Sequence, residues 1–186
     1  MALKPVILMM LAHEEATGYE LAGEFDAVVG FFWKATHQQI YRDLAALEAE
    51  GLVVHRVEPQ SGKPDRKVYR VTPAGLAELK GWLAGPTAMR RTTDELLVKI
   101  AAGDLMGLDA LARELGGQRE LHRQKLDAYL AIEREHYTPR ALAAAPLRLR
   151  LLHLTLRCGI HAETAWLAWA DESLCTLAEL QRARSK

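Results

Sequence analysis

Little in this sequence points toward an enzyme, an export signal or a disulfide framework. Cysteine occurs twice, as Cys158 and Cys175. Seventeen residues apart in one helical segment, they stand roughly 25 Å from each other, too far to bridge within a chain. Both read as small buried hydrophobes of a reducing cytoplasm. Charge of one sign is absent: 24 basic residues balance 24 acidic ones. Total charge therefore says nothing about nucleic acid, and distribution must decide. Aromatics make up 6% of the chain against 49% hydrophobic residues, mostly alanine and leucine, the balance of a helical protein. No apolar run reaches the ~18 residues of a membrane span, and Leu3 to Ala12 is short and followed by His13, Glu14 and Glu15, so it reads as a core helix rather than a signal peptide. There is no glycine-rich phosphate loop, no nucleophile elbow and no CxxC. None of the seven histidines pairs at i, i+4 with another His or a Glu. His153 and His161 share a helix face with Arg157 between them, a cation that repels a metal. No enzymatic activity, metal or cofactor is expected.

What is present centres on Thr36 to Gly51, THQQIYRDLAALEAEG. Thr36 can cap a helix, and Gln39 completes a capping-box pattern. Gly51 stands where a left-handed terminal residue belongs. Ile40, Leu44 and Leu47 form one apolar stripe. The other side carries His37, Gln38, Tyr41 and Arg42 in the first two turns. Such a helix suits a major groove, where Gln and Arg read base edges and terminal amides meet phosphate. A solvated helix start is the plainer alternative, and Arg42 beside Asp43 keeps it open.

The flanks favour the groove reader. Leu3 to Ala12 is a first helix. Glu14 to Gly18 is a polar turn. A second helix opens at Thr17 or Gly18, buries Leu21, Phe25 and Val28 or Val29, and ends at Gly30. Phe31, Phe32 and Trp33 anchor the connection. Two helices and a short turn make a helix-turn-helix. Leu52 to Val57 and Arg66 to Val71 then read as strands around the turn chemistry of EPQSGKPD, a two-stranded wing. Residues 56–70 carry Arg56, Lys63, Arg66, Lys67 and Arg70 against Glu58 and Asp65, a surplus of three, although residues 1–85 as a whole hold 9 basic and 11 acidic residues. Positive charge is concentrated where a wing meets phosphate. Thr72 and Pro73 start a further helix to about Leu83.

Gly85 and Pro86 mark a boundary between an N-terminal unit, 1–85, and a helical one, 86–186. Thr93 caps a helix ending near Gly103. Another runs from about Leu108 to His136, with Gly116 and Gly117 placed to break or bend it. The last spans about Leu147 to Arg182, roughly 54 Å, and is apolar around much of its circumference: Leu149, Leu152, Leu156, Ile160, Trp166, Trp169 and Leu174. Such surplus apolar surface suits pairing with its own copy in a two-fold dimer.

The opening PVILMMLA, then TGYELAGEFD, FFWKATHQQIYRDLAALEAEGLV, RKVYRVTPAGLAEL and the terminal LHLTLRCGIHAETAWLAWADESL occur in order over nearly the full chain. Together they resemble the PadR family of bacterial transcriptional regulators with a long helical C-terminal domain. The resemblance implies a mainly α fold, a winged helix-turn-helix followed by an all-helical dimerisation domain. It implies a cytoplasmic homodimer that binds double-stranded DNA at a palindromic operator, usually as a repressor. Carried over by position, Thr36, His37, Gln38, Gln39, Tyr41 and Arg42 would belong to the reading helix, Tyr19 and Lys34 would touch the DNA backbone, and Lys63, Arg66 and Lys67 would lie on the wing. Many members have a small residue and a proline where this chain has Gln38 and Arg42, so operator sequence does not transfer. Some members bind a small aromatic effector between domains. Trp82, Trp166, Trp169, Tyr129 and Tyr137 are candidates to line such a cavity, with ordinary core or dimer packing as the simpler reading. The alternative function is a winged-helix protein-interaction module without sequence-specific DNA binding.

Overall fold

The computed structural model describes residues 3–30, 33–60, 62, 65–88 and 93–184, without the side chains of residues 26–28. The chain divides into two compact units, Met1–Met89 and Arg90–Lys186, four residues beyond the sequence boundary at residue 85.

In the first unit α1 (Lys4–His13) carries Pro5 in its opening turn and buries Val6, Ile7, Leu8, Met10 and Leu11. The segment read as a polar turn contains a strand, β1 (Ala16–Thr17), pairing Ala16 with Tyr69 and Thr17 with Val68. The sheet is therefore three-stranded and antiparallel, in the order β1-β3-β2. Two residues are too few to show an alternation of period two. Thr17 also caps α2 (Gly18–Val28), in a capping box closed by Glu20. Then α3 (His37–Ala49) starts in a second capping box, Thr36 with Gln39, and ends before Gly51, whose φ of 71° is the left-handed conformation a glycine adopts freely. Strands β2 (Val53–Glu58) and β3 (Arg66–Val71) pair in full register from Val53 opposite Val71 to Glu58 opposite Arg66. The Thr72 hydroxyl caps α4 (Pro73–Ala84) and donates to the Gly51 carbonyl oxygen. A Cβ at Gly75 would collide with the Leu52 carbonyl oxygen, so glycine alone allows α4 this approach. Ile7, Leu21, Phe25, Ile40, Leu44 and Leu47, each at most 1% exposed, form the core, with Trp33 packed against it. At about 1.5–3 kcal/mol per fully buried large apolar side chain, this core fixes how α2, α3 and the sheet are held.

In the second unit α5 (Glu95–Ala101) is capped by Asp94, whose carboxylate accepts from Leu96 N, rather than by Thr93. After α6 (Gly103–Met106), α7 (Leu108–His136) runs unbroken through Gly116 and Gly117. The glycine cost, about 1 kcal/mol each, is outweighed by tertiary packing on both sides of the pair: Leu115 is fully buried, and Arg119 reaches Asp171. Next, α8 (Pro139–Ala143) is capped by Thr138, and α9 (Leu147–Arg184) follows, about 57 Å long by its rise per residue. Helices α7 and α9 lie antiparallel, because their contacts run in opposite order: Asp109 with Gln181, Arg119 with Asp171, His122 with Glu163, and Glu133 with His153. Leu111 and Leu115 pack on Ala170 and Leu177 at one end of the pair. Toward the other, Tyr129 fits over Gly159, where a Cβ would stand 2.9 Å from its ring.

Candidate nucleic-acid interface

The start of α3 is an exposed polar end on a buried apolar stripe. Ile40, Leu44 and Leu47 face inward, and His37, Gln38, Tyr41 and Arg42 are exposed. Lys34, just before the helix, is exposed as well. Thr36 and Gln39 are occupied by the helix itself. Thr36 Oγ1 accepts from Gln39 N, and Gln39 Oε1 accepts from Thr36 N at 2.8 Å. Only the amide NH2 of Gln39 remains to meet a ligand. Arg42 donates through Nε and Nη2 to Asp43 Oδ1, both at 3.2 Å, which is the solvated-face arrangement the sequence left open. The Arg42 side chain is still 72% exposed, so this surface pair is worth little and can exchange for a better acceptor.

Beside α3 a cleft of about 470 Å³ brings together three elements distant in sequence. The N-terminus of α2 contributes Gly18, Tyr19 and Glu20, α3 contributes Tyr41, and β3 contributes Arg66, Lys67 and Tyr69. Tyr19 is 78% exposed and free to turn toward a ligand. The Tyr41 ring lies against Gly18, so close that a Cβ there would stand 2.5 Å from Tyr41 Cε1. Arg66 Nη2 reaches Glu20 Oε1 at 2.6 Å and ties the wing to the start of α2. The Thr17 amide and hydroxyl, together with Arg66, hold the Glu20 carboxyl below its ordinary pKa. Burial pushes the Tyr69 hydroxyl up, with Glu48 and Tyr41 adding to it. His55 on β2 pairs with Glu48, which links the wing to α3 as well. The cleft thus combines helix-terminal amides, hydroxyls and two cations, groups that bind phosphate, with the carboxylates of Glu20 and Asp65 beside them.

Of the sequence-predicted contacts, the structure brings Tyr19, Tyr41, Arg66 and Lys67 into this cleft and leaves Lys34, His37, Gln38 and Arg42 exposed beside it. Lys63 lies outside the described residues. Sequence reasoning missed Gly18, Glu20 and Tyr69. The Thr17–Glu20 capping box was visible in TGYE, whereas nothing in the sequence pairs Glu20 with Arg66. Among the described residues no group of three or more His, Cys, Asp or Glu side chains is placed to hold a metal ion.

The apolar residues assigned to dimerisation divide in the second unit. Leu156 is 0% and Ile160 6% exposed, buried inside the chain itself, so they are withdrawn from any partner surface. A 38-residue helix must first cover α7 before it covers a copy. Trp166, Trp169 and Leu174 pack against the Leu111–Leu115 cluster, and Leu149 and Leu152 are half-buried. Leu147, Leu151 and Leu154 of α9 are instead 71%, 52% and 64% exposed, at i, i+4 and i+7, with Leu180 48% exposed toward the other end. Cys158 and Cys175, expected to be buried, are exposed too. Of the aromatic candidates for an effector cavity, Trp166 stacks on His122 at 3.6 Å, Tyr137 stacks on His153 at 4.8 Å, Tyr129 is buried and Trp82 is 55% exposed, while Trp169 lines a cavity within the helical unit. Glu163, 5% exposed, accepts from His122 and Lys125 between α7 and α9.

A helix-turn-helix with a β-hairpin wing, followed by a unit of long antiparallel helices, is the build of a winged-helix transcriptional regulator. Comparison with known proteins agrees in both units. Residues 7–81 match the transcriptional regulator PadR-like family, and residues 92–178 match the virulence activator alpha C-terminal family. A probable transcriptional regulator of Mycobacterium tuberculosis is 37% identical over 92% of this chain and 95% of its own length. The structure of the Vibrio cholerae virulence activator AphA is similar at a TM-score of 0.83, with 36% identity over 96% of this chain and 99% of that one. Bacillus subtilis PadR in complex with operator DNA is similar at a TM-score of 0.82, with 26% identity over 94% and 98% of the two chains. The same Bacillus protein, named a negative transcriptional regulator, has also been solved with p-coumaric acid. The chain belongs to the PadR-like family of transcriptional regulators, and its relatives are regulators rather than enzymes. No described helix is long and apolar enough to cross a membrane.

Proposed function

We propose that this chain is a homodimeric repressor of the cytoplasm that binds double-stranded DNA at an inverted-repeat operator and responds to a small effector. Residues 1–85 bind DNA and residues 86–186 dimerise. The observation that carries this reading is the cleft in which Tyr19, Tyr41, Arg66 and Lys67 converge beside the exposed polar end of α3. Gln38 and Arg42 enter the major groove and read base edges, with His37 and the free amide of Gln39 beside them. Tyr19, Lys34, Tyr41, Arg66, Lys67 and the wing-tip Lys63 hold phosphates on either side. Thr36 acts by fixing the helix start. Arg66 exchanges Glu20 for phosphate when DNA arrives, so Glu20 sets the wing position in the free protein and discourages loose binding.

Dimerisation uses the exposed stripe Leu147, Leu151 and Leu154 of α9, in place of Leu156 and Ile160. Three leucines exposed on one face of α9 among the described residues are what a two-fold axis would pair. Repression and effector response are favoured by the Bacillus relative, which is named negative and was solved with both operator DNA and p-coumaric acid. Selection of bound sequences from a random DNA pool tests the whole reading. The expected result is an inverted repeat with half-site centres about 34 Å apart or a multiple of it. A pool with no enriched sequence, or an enriched site without symmetry, refutes it.

A further inference from the structure

A second cavity lies wholly within the helical unit, framed by α6, the first turns of α7 and the C-terminal half of α9. Its volume is about 440 Å³, inside the ~300–1,000 Å³ of pockets that enclose small organic ligands. The floor is apolar: Leu111, Leu115 and Leu177 are 2%, 0% and 8% exposed, and Trp169 forms a wall. Helix α6 can close over this floor because residue 103 is glycine, where a Cβ would stand 2.7 Å from Leu111 Cδ2. The polar lining is unequal in sign. Asp104 from α6 and Glu172 from α9 contribute carboxylates, against the single guanidinium of Arg184. Among the described residues neither of these carboxylates has a hydrogen-bond or ion-pair partner. Both carboxylates are exposed at the cavity rim, and with the Trp169 wall they suit a cation rather than an anion.

We propose that this cavity binds a hydrophobic organic ammonium, its charged nitrogen at Asp104 and Glu172 and its apolar body against Trp169 and the three leucines. This names the class of effector for the regulator proposed above and rests on that reading for its regulatory consequence alone. Binding itself is read on DNA-free protein, so failure to find an operator and failure to find this ligand are separate results.

The test is calorimetric titration of the full chain with 1-naphthylmethylamine, 1-naphthalenemethanol and 1-naphthoic acid, which share one ring system and differ in charge. The ammonium is expected to bind about tenfold more tightly than the alcohol, with the acid weakest. Glu172→Gln should bring the ammonium close to the alcohol without changing the alcohol's own affinity. Thr176→Trp, at the lining but off the leucine floor, should block all three ligands while the thermal melt stays in place. Absence of binding to the wild-type chain, tighter binding of the acid than of the ammonium, or an unchanged preference in Glu172→Gln would each overturn the proposal. So would ligand binding that appears only after the dimer is broken by Leu151→Glu, since a second copy would then be the cavity's occupant.

Discussion

Gly18→Ala separates folding from DNA contact at one position. The new methyl would stand 2.5 Å from Tyr41 Cε1 and 3.1 Å from Tyr41 Cδ1, where ordinary contact begins near 3.4 Å. The ring must therefore move by about 1 Å, and it can, because Tyr41 is 47% exposed and the clash falls on its outer edge. Gly18 is the first residue of α2, behind the Thr17 cap, and alanine there favours the helix by up to about 1 kcal/mol. Stability should hold or rise. If the Tyr41 hydroxyl meets a phosphate, the displaced ring loses a hydrogen bond to a charged acceptor worth about 1.5 kcal/mol at the low end. Both half-sites lose it, so operator affinity falls by about 3 kcal/mol, roughly a hundredfold. Fluorescence anisotropy on the selected operator at fixed salt, beside a thermal melt, measures both quantities. Tyr41→Phe, which keeps the ring and removes the hydroxyl, should lose a similar amount. Wild-type affinity in a folded Gly18→Ala protein would refute the placement of Tyr41 against DNA.

Four further outcomes are expected. Gln38→Ala should relax operator preference at one base pair of each half-site by about 1–3 kcal/mol, seen as a flattened position in a repeated selection. Lys67→Ala should weaken binding to all sequences alike and lower the slope of log K against log salt by about 0.9 per half-site in a salt titration. Leu151→Glu should give a folded monomer by light scattering, with operator binding lost. At Glu163, burial pushes the carboxyl pKa up, but hydrogen bonds from Lys125 and His122, with their charges, leave it below the ordinary 4.5. A depressed native pKa contributes stability above 4.5 that is lost as pH falls through the lower native value. The advantage of wild type over Glu163→Gln in chemical denaturation should accordingly be full at pH 6–7 and shrink toward pH 3. An equal advantage at both ends would refute the pairing.

Helix α3 was legible because its signals are local. Thr36, Gln39 and Gly51 mark its ends within a few residues of where they act, and Ile40, Leu44 and Leu47 repeat at the helical period. Strands β2 and β3 and the cap of α4 were legible for the same reason, being written in alternation, turn residues and Thr72–Pro73. The failures are also local rules, overruled by contacts from far along the chain. Gly116 and Gly117 have poor helix propensity, yet α9 packs along α7 on both sides of them and holds the helix through. Ala16 and Thr17 become a strand because Tyr69 and Val68 lie beside them. Leu156 and Ile160 look the same in sequence as Leu151 and Leu154, and which pair turns inward is set by the face α9 offers to the rest of its own chain.

The sequence by itself therefore determined the winged helix-turn-helix and the polar end of α3, since each depends on periodicity and capping over a few turns. Only the tertiary structure decided that Tyr19, Tyr41 and Arg66 share one cleft, that Glu20 holds Arg66, and that α6 and α9 leave a cavity rimmed by Asp104 and Glu172. Those features arise between residues as many as 68 positions apart, as Asp104 and Glu172 are, brought together by burial of leucines whose individual pattern carries no record of their partners.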